Sequence, residues 1–410
     1  MQTRTLTHQI KKSPLHVSLN LPTSKSESNR ALVLQHLSGE NLIIKQLSDA
    51  NDTVLLKKLL ANIDYDDVLD CGPAGTTFRF LTAILSFFSK KSHILTGSKR
   101  MKERPIKDLV DALRMLGADI TYLEQTGFPP LKITPAKQTS ETCTVNVSNS
   151  SQYLTSLLLI GGFLPKGITI KPLGKLGSEP YVAMTLSILK KIGICYTNNE
   201  QEYVSRRHHI KPTTLTIEAD WSGASYWFSR LAMETSGSIQ LNGLQSTSLQ
   251  GDQVVCSIFE KLGVKSQYNN MGLLITKAGV PEKELVWDFT HCPDLAQTVI
   301  PCCAILGVQG KFTGLASLRI KETDRIKALQ TELAKLNASL VSSDEVFFSL
   351  TPIKQLPEKT VQIATYHDHR MAMGFAPLAA RLKKIIIEDP NVVDKSYPNF
   401  WEHLAKTDIS

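Results

Sequence analysis

Asp108-Leu-Val-Asp-Ala-Leu-Arg-Met-Leu-Gly-Ala-Asp-Ile-Thr-Tyr122 is a helix that ends in Leu-Gly and runs straight into a strand. Leu109, Leu113 and Leu116 recur at three and four residues and stripe one helical face. Gly117 supplies the left-handed residue that a chain leaving a helix end requires. The pattern recurs at Met184 to Tyr196, with Gly193, and at Val254 to Tyr268, with Gly263. It returns at Arg325 to Leu340 with Asn337 in the glycine position, and more weakly at Thr53 to Tyr65 with Asn62; Asn also tolerates that conformation. Copies stand roughly 55 to 75 residues apart, longer than solenoid repeats, so each is a small subdomain.

Short β-branched runs separate these helices: Asn41 to Leu47, His93 to Thr96, Leu131 to Thr134, Ile168 to Pro172, Thr214 to Glu218, Ser238 to Leu241, Leu273 to Thr276 and Lys384 to Glu388. Strands alternating with helices give an α/β (α+β) class. Five or six such units in 410 residues imply two lobes of about three units each, with the cleft between them as the expected site.

The composition, 42% hydrophobic and 20% charged, is that of a globular protein. Seven cysteines without a CxxC pair argue against a disulfide framework or a zinc site. The start, Met1-Gln2-Thr3-Arg4-Thr5-Leu6, lacks the apolar core of a signal peptide, and no segment reaches membrane-spanning length. The expectation is a cytoplasmic protein with no membrane partner. A net charge of +8 suits nucleic acid or small anions. The cations are scattered and lack an aromatic-interleaved stripe, which disfavours nucleic acid.

The clusters that could carry chemistry sit at helix starts. Leu318-Arg-Ile-Lys321-Glu322-Thr323-Asp324-Arg325 precedes an amphipathic run; with Thr323 or Asp324 as N-cap, its charges gather where free N–H groups favour an anion. A solvated, self-neutralised cap reads equally well. Ser24-Lys25-Ser26-Glu-Ser-Asn-Arg30, ahead of the helical run Ala31 to Leu37, suits a phosphate or carboxylate but lacks the framing glycines of a nucleotide-binding loop. Cys71-Gly-Pro-Ala-Gly75-Thr76-Thr-Phe-Arg79 joins a turn that lets a ligand approach to an arginine one helical turn on. Arg100-Met-Lys-Glu-Arg104-Pro105 places a proline at an expected first helical position. Ser148-Asn-Ser150-Ser151-Gln152 offers uncharged donors for a polyhydroxylated ring, or simply caps its helix. Ser178 and Tyr181 lie in Gly177-Ser-Glu-Pro-Tyr181. Cys292-Pro-Asp294 presents a cap or a base. Tyr366-His-Asp368-His369-Arg370 has two histidines, but with no second ligand cluster no metal is expected. Lys395 closes the series at a turn.

In this order the motifs resemble the 5-enolpyruvylshikimate-3-phosphate synthase family, from about residue 14 to residue 401, with Arg-Met-Lys-Glu-Arg-Pro and Lys-Glu-Thr-Asp-Arg the most specific. The resemblance implies an enolpyruvyl transferase fold of two lobes, each of three βαβαββ units around a pseudo-threefold. One lobe would comprise residues 1–20 plus 219–410 and the other 21–218, with crossings near 20 and 218. It implies transfer of the enolpyruvyl group of phosphoenolpyruvate to the 5-hydroxyl of shikimate 3-phosphate through a tetrahedral intermediate, in aromatic amino acid biosynthesis, by a monomer needing no cofactor and no metal. Shikimate 3-phosphate would be held by Lys25, Ser26, Arg30, Ser150, Ser151, Gln152, Ser178, Tyr181, Asp294, Ser317 and Lys321. Phosphoenolpyruvate would be held by Lys25, Gly75, Thr76, Arg104, Gln152, Arg325, Arg370 and Lys395. Asp294 is then the candidate base on the hydroxyl and Glu322 the acid on the methylene, with Lys25 and His369 as partners.

Three positions depart from the family pattern. Pro73 stands where an Asn is usual, Ser317 where a longer Asn is usual, and Phe80 where a proline is common. Gly75, with no side chain, leads us to expect glyphosate to compete with phosphoenolpyruvate. Two rivals are weighed: the transferase acting on UDP-N-acetylglucosamine, which normally carries a cysteine in a glycine-flanked loop and lacks Lys-Glu-Thr-Asp-Arg, whereas no cysteine here sits in such a loop, and a non-catalytic anion or nucleic-acid binder, which would show steep salt-dependent binding and no phosphate release.

Overall fold

The computed structural model describes residues 2–8, 14–199, 201–382 and 384–410. The chain forms two compact units: Met1–Ser24 with Asp49–Asn51 and Glu218–Ser410, and Lys25–Ser48 with Asp52–Ile217. The first passage falls at Ser24, a few residues beyond the expected position near 20. There Thr23 forms an isolated bridge with Ala219 and the Ser24 N–H donates to the Glu218 carbonyl at 2.8 Å, so these residues stay with the returning chain of the first unit.

Four sheets repeat one topology. In the second unit, Val68–Asp70 runs parallel to His93–Thr96, which pairs antiparallel with Leu131–Thr134, itself paired with Asp119–Tyr122. Thr142–Asn146, Ile168–Leu173, Tyr203–Ser205 and Thr197–Asn198 repeat that order. In the first unit the same order joins Leu15–Asn20, Gly237–Asn242, Gly272–Lys277 and Val264–Asn269. It recurs in Glu284–Asp288, Gln309–Thr313, Phe348–Thr351 and Ser339–Val341. A parallel pair needs a crossover helix, whereas the last two strands fold back as a hairpin; the result is a βαβαββ unit. Each unit also holds a shorter sheet: Val361–Ile363 beside Ile385–Glu388 and Thr3–Leu6 in the first, Thr213–Thr216 parallel to Leu42–Lys45 in the second.

The crossover helices make the core. Lys25–Ser38, Gly75–Phe88 and Ser151–Gly161 pack pairwise in the second unit, as do Trp221–Ala232, Ala296–Leu306 and His369–Phe375 in the first. Three helices in mutual contact are buried on nearly every side, so that Tyr153 to Gly161 and Ala296 to Ile305 are buried residue after residue and mostly apolar. The helix that follows in a repeat is amphipathic, as at Lys107–Met115, with Leu109, Val110, Ala112 and Leu113 buried. No helix among the described residues is long and apolar enough to cross a membrane. The seven cysteines are free thiols.

The repeat signal in the sequence marks real helix ends. Gly117, Gly193 and Gly263 have φ of +109°, +90° and +81°, and Asn337 has +64°. Asn62 differs: it is absent from the positive-φ set, and its carbonyl accepts from the Tyr65 and Asp66 N–H groups, so the chain continues through tight turns before reaching its strand. The helix expected from Ala31 starts at Lys25, which places Lys25 and Ser26 in its first turn. Pro105 lies ahead of its helix, which begins at Lys107.

At Gly374 the helix His369–Phe375 lies against the backbone of Ala296–Leu306. A Cβ there would overlap the Gln297 carbonyl oxygen, which is helix backbone and cannot swing aside. Gly374→Ala should lower unfolding free energy by about 2 kcal/mol or more, read as an earlier denaturant midpoint; an unchanged midpoint would show that this contact is slack.

Candidate active site

In the first unit the charged residues converge through their positions at helix starts. Asp324 caps the helix Arg325–Lys335, accepting from the Lys327 N–H at 3.0 Å. Arg325 therefore lies in the first turn, only 2% exposed. Its Nε donates to Asp368 Oδ2 at 2.7 Å and its Nη2 to Asp368 Oδ1 at 3.3 Å. Nη1 reaches Asp294 Oδ1 at 3.0 Å, and Nη2 also reaches Glu322 Oε2 at 2.9 Å. Burial opposes the guanidinium charge, but Asp368, Glu322 and Asp294 outweigh it and raise its pKa.

Asp368 caps the next helix, accepting from the Arg370 N–H at 2.9 Å. Arg370 then turns its Nη2 onto Asp294 Oδ2 at 2.8 Å and its Nη1 onto the Asp294 carbonyl at 3.3 Å. The far oxygen of Glu322 meets Lys395 Nζ at 3.0 Å. Burial works against ionised Asp294, yet Arg370, Lys321 and Arg325 hold its carboxyl well below the usual carboxylate range. The two candidate proton-transfer groups are thus held by one guanidinium.

A second carboxylate backs Arg370. Its Nη2 lies 3.4 Å from Ser222 Oγ, and that hydroxyl donates to Asp252 Oδ2. Asp252 Oδ1 is buried without a hydrogen-bond partner among the described residues. Burial, then the charge of Asp294, pushes the Asp252 pKa up to about 7, against Arg370 and the Ser222 hydroxyl. His369 is 2% exposed, with Nδ1 3.7 Å from Asp368 Oδ1. Ser317 is half-buried in the turn Ala316–Ile320, and Arg319 is spent on Asp324 and Glu345. Among the described residues no group of three or more His, Cys, Asp or Glu could hold a metal ion.

In the second unit Lys25 Nζ is 3.2 Å from Asp52 Oδ2. Ser150 Oγ caps the helix Ser151–Gly161, accepting from the Gln152 N–H at 3.2 Å. Gln152 Nε2 then donates to Thr76 Oγ1 at 3.0 Å, while its Oε1 is buried and without a partner among the described residues. Gly75 opens the neighbouring helix and lies against Arg104. A Cβ on it would come 2.8 Å from Arg104 Cζ and 2.7 Å from Arg79 Nη1. Arg79, expected to face a ligand, instead donates to the Gly75 carbonyl at 2.9 Å and lies over the Tyr153 ring.

Arg30 is 3% exposed. It donates to Thr185 Oγ1 at 2.8 Å, the Ser26 carbonyl at 2.8 Å and the Tyr181 carbonyl at 3.2 Å, joining the first helix to Glu179–Lys191. Burial lowers its pKa to about 10. Ser178 holds a left-handed φ of 57° just before that helix.

The structure thus gathers Asp294, Glu322, Arg325, Arg370 and Lys395 in one network, and Thr76 with Gln152 and Gly75 with Arg104 in the other unit. Sequence reasoning missed Asp368 as the main partner of Arg325, Asp52 as the partner of Lys25, and the Asp252–Ser222 pair. Asp368 had a usable signal, an Asp directly before a helix; Asp252, in Leu249-Gln-Gly-Asp252, had none.

The sequence model of the family described as EPSP synthase (3-phosphoshikimate 1-carboxyvinyltransferase) matches residues 56–404. The chain is 42% identical over 397 residues to a 3-phosphoshikimate 1-carboxyvinyltransferase of Bacteroides fragilis, covering 96% of each. It is 34% identical over 417 residues to a like-named protein of Vibrio cholerae, covering 95% of this chain and 96% of that one. In shape it is similar to an EPSP synthase structure from Acinetobacter baumannii, with a TM-score of 0.75 over 99% of both chains at 18% identity, which supports the two-lobed fold. By the family match and these relatives, the chain belongs to the EPSP synthase (3-phosphoshikimate 1-carboxyvinyltransferase) family.

Proposed function

We infer that this protein transfers the enolpyruvyl group of phosphoenolpyruvate to the 5-hydroxyl of shikimate 3-phosphate and releases phosphate. The observation that carries the reading is the shared grip of Arg325 on Asp294 and Glu322, at 3.0 and 2.9 Å, in a chain of this family. The reaction needs one group to take the hydroxyl proton and another to protonate the methylene carbon. The hydroxyl oxygen then bonds to the neighbouring carbon, giving a tetrahedral adduct. Loss of a methyl proton and of phosphate restores the double bond.

Asp294, kept ionised by its cationic neighbours, fits the base. Glu322, within 3.0 Å of Lys395, fits the acid, and a bound polyanion facing Lys395 and Arg325 would weaken their hold on the carboxylate and favour its protonation. Lys25 and His369 complete the proposed proton-transfer set. Lys25, Arg104, Arg325, Arg370 and Lys395, with Gly75, Thr76 and Gln152, would hold phosphoenolpyruvate, and Arg325 also orients the two carboxylates it grips. Ser26, Ser150, Ser151, Ser178, Tyr181, Ser317 and Lys321 would take shikimate 3-phosphate, with the donors that Arg30 does not spend on the protein. Multiple fixed cations suit two polyanionic substrates, where preorganised charge supplies most of the stabilisation. The same reading expects a cytoplasmic monomer.

Phosphate release from the two substrates tests this directly. Asp294→Asn and Glu322→Gln should each lower kcat by about 10² or more; near-wild-type turnover in both would overturn the assigned roles. Asp252 faces Arg370, Asp294, Asp220 and Ser222. Below about 7 it keeps its proton; above, a second anion competes for Arg370. The KM for phosphoenolpyruvate should therefore rise above pH 7, and Asp252→Asn should flatten that rise. Glyphosate should inhibit competitively with phosphoenolpyruvate at millimolar concentration or below. Gly75→Ala, which pushes into the Arg104 guanidinium, should raise the KM for phosphoenolpyruvate as it weakens inhibition; unaltered constants would detach Gly75 from the site.

A further inference from the structure

Tyr366 and His367 precede Asp368 with φ of 54° and 57°. The Asp368 N–H donates to the Thr365 carbonyl at 2.9 Å, closing a four-residue turn whose two central residues are both left-handed. Turns of that kind are dominated by Gly, Asn and Asp, because a side chain with a Cβ crowds the backbone there. An aromatic followed by a histidine is a poor choice for it, so something outside the turn must hold it in place.

That hold comes from Glu332. Its carboxylate is fully buried on the helix Arg325–Lys335. Oε1 accepts from the Tyr366 hydroxyl at 2.6 Å, and Oε2 from the Ala364 N–H at 3.1 Å. Lys335 Nζ balances its charge at 2.7 Å and donates to the Gln362 carbonyl at 2.9 Å. Glu332 stands seven residues after Arg325, two turns along the same helical face. One helix therefore grips the segment 364–368 twice, through Glu332 on Tyr366 and through Arg325 on Asp368. From the turn itself, His367 Nδ1 meets Asp389 Oδ2 at 3.1 Å.

We propose that Glu332 and Tyr366 are positioning residues for the transfer reaction, forming a clamp that holds the left-handed turn at Tyr366–His367 so that Asp368 and Arg370 keep Arg325 and Asp294 in register. Neither touches the groups that exchange protons; they act through the turn. This rests on the function proposed above. Without the clamp the turn relaxes toward an ordinary φ, the cap at Asp368 shifts, and Arg370 leaves Asp294. A displacement of about 1 Å at such a group costs rate much more than ground-state affinity.

Tyr366→Phe removes only the hydroxyl. It should lower kcat at least about 10-fold with KM for shikimate 3-phosphate within about twofold, and speed amide exchange over residues 364–370. Glycine adopts positive φ without crowding, so adding His367→Gly to Tyr366→Phe should bring kcat back to within about threefold of wild type. A purely structural loss elsewhere would not be repaired in that way. Glu332→Gln, which keeps an acceptor, should lose less kcat than Glu332→Leu. Wild-type kcat and exchange in Tyr366→Phe, or a double variant no faster than the single one, would overturn the clamp. A wild-type chain that releases no phosphate would instead sink the assigned reaction, leaving amide exchange to decide the clamp.

Discussion

Arg325 is a buried guanidinium that gives hydrogen bonds to three carboxylates: both oxygens of Asp368 and one each of Asp294 and Glu322. A cation so placed survives burial only because those partners replace the lost water. Removing it would strip the buried Asp368 of its main cation and leave Asp294 and Glu322 with Arg370 and Lys395 respectively, at a cost of about 3–5 kcal/mol for breaking a buried pair. The dependence runs both ways: Asp294 and Glu322 have defined positions because they share one planar fork whose geometry cannot be rearranged cheaply.

The scaffold makes that arrangement possible by repeating one solution. Each of the four βαβαββ repeats contributes a helix to a three-helix core, two per compact unit, the third lying beside the shorter sheet, and candidate site residues sit where those helices begin. Asp294 leads into Ala296–Leu306 and Asp368 into His369–Phe375; in the other unit Lys25, Gly75 and Ser151 open theirs. Helix starts carry unpaired N–H groups and the positive end of the dipole, which suit anionic ligands and fix carboxylate caps. Because the three helices of a unit touch one another, their starts can be neighbours, as Thr76 and Gln152 are at 3.0 Å.

Much of this was legible locally. The repeated helix ends at Gly117, Gly193, Gly263 and Asn337 follow from a backbone requirement that few residues meet, and all four have positive φ. Motif order pointed to the family that the comparisons bear out. Other features were misread for local reasons. Ser, Glu and Asn at positions 26 to 29 look like a cap region ahead of a helix when burial is unknown, yet Glu27, Ser28 and Asn29 are buried in helix packing and the helix begins at Lys25. Arg79 turns back to the carbonyl of Gly75 and the ring of Tyr153, a choice that depends on a side chain over seventy positions away.

By itself the sequence determined whatever rests on short-range chemistry: the alternation of strands and helices, the left-handed helix ends, the capping residues, and the clusters of charge before each helix. Tertiary structure alone decided which charges meet. Arg325 is bound to Glu322 three residues before it, but also to Asp294 and Asp368, 31 and 43 residues away. Pairings of that span carry no local signature, because they are set by how distant helices pack together rather than by the residues adjoining each charge.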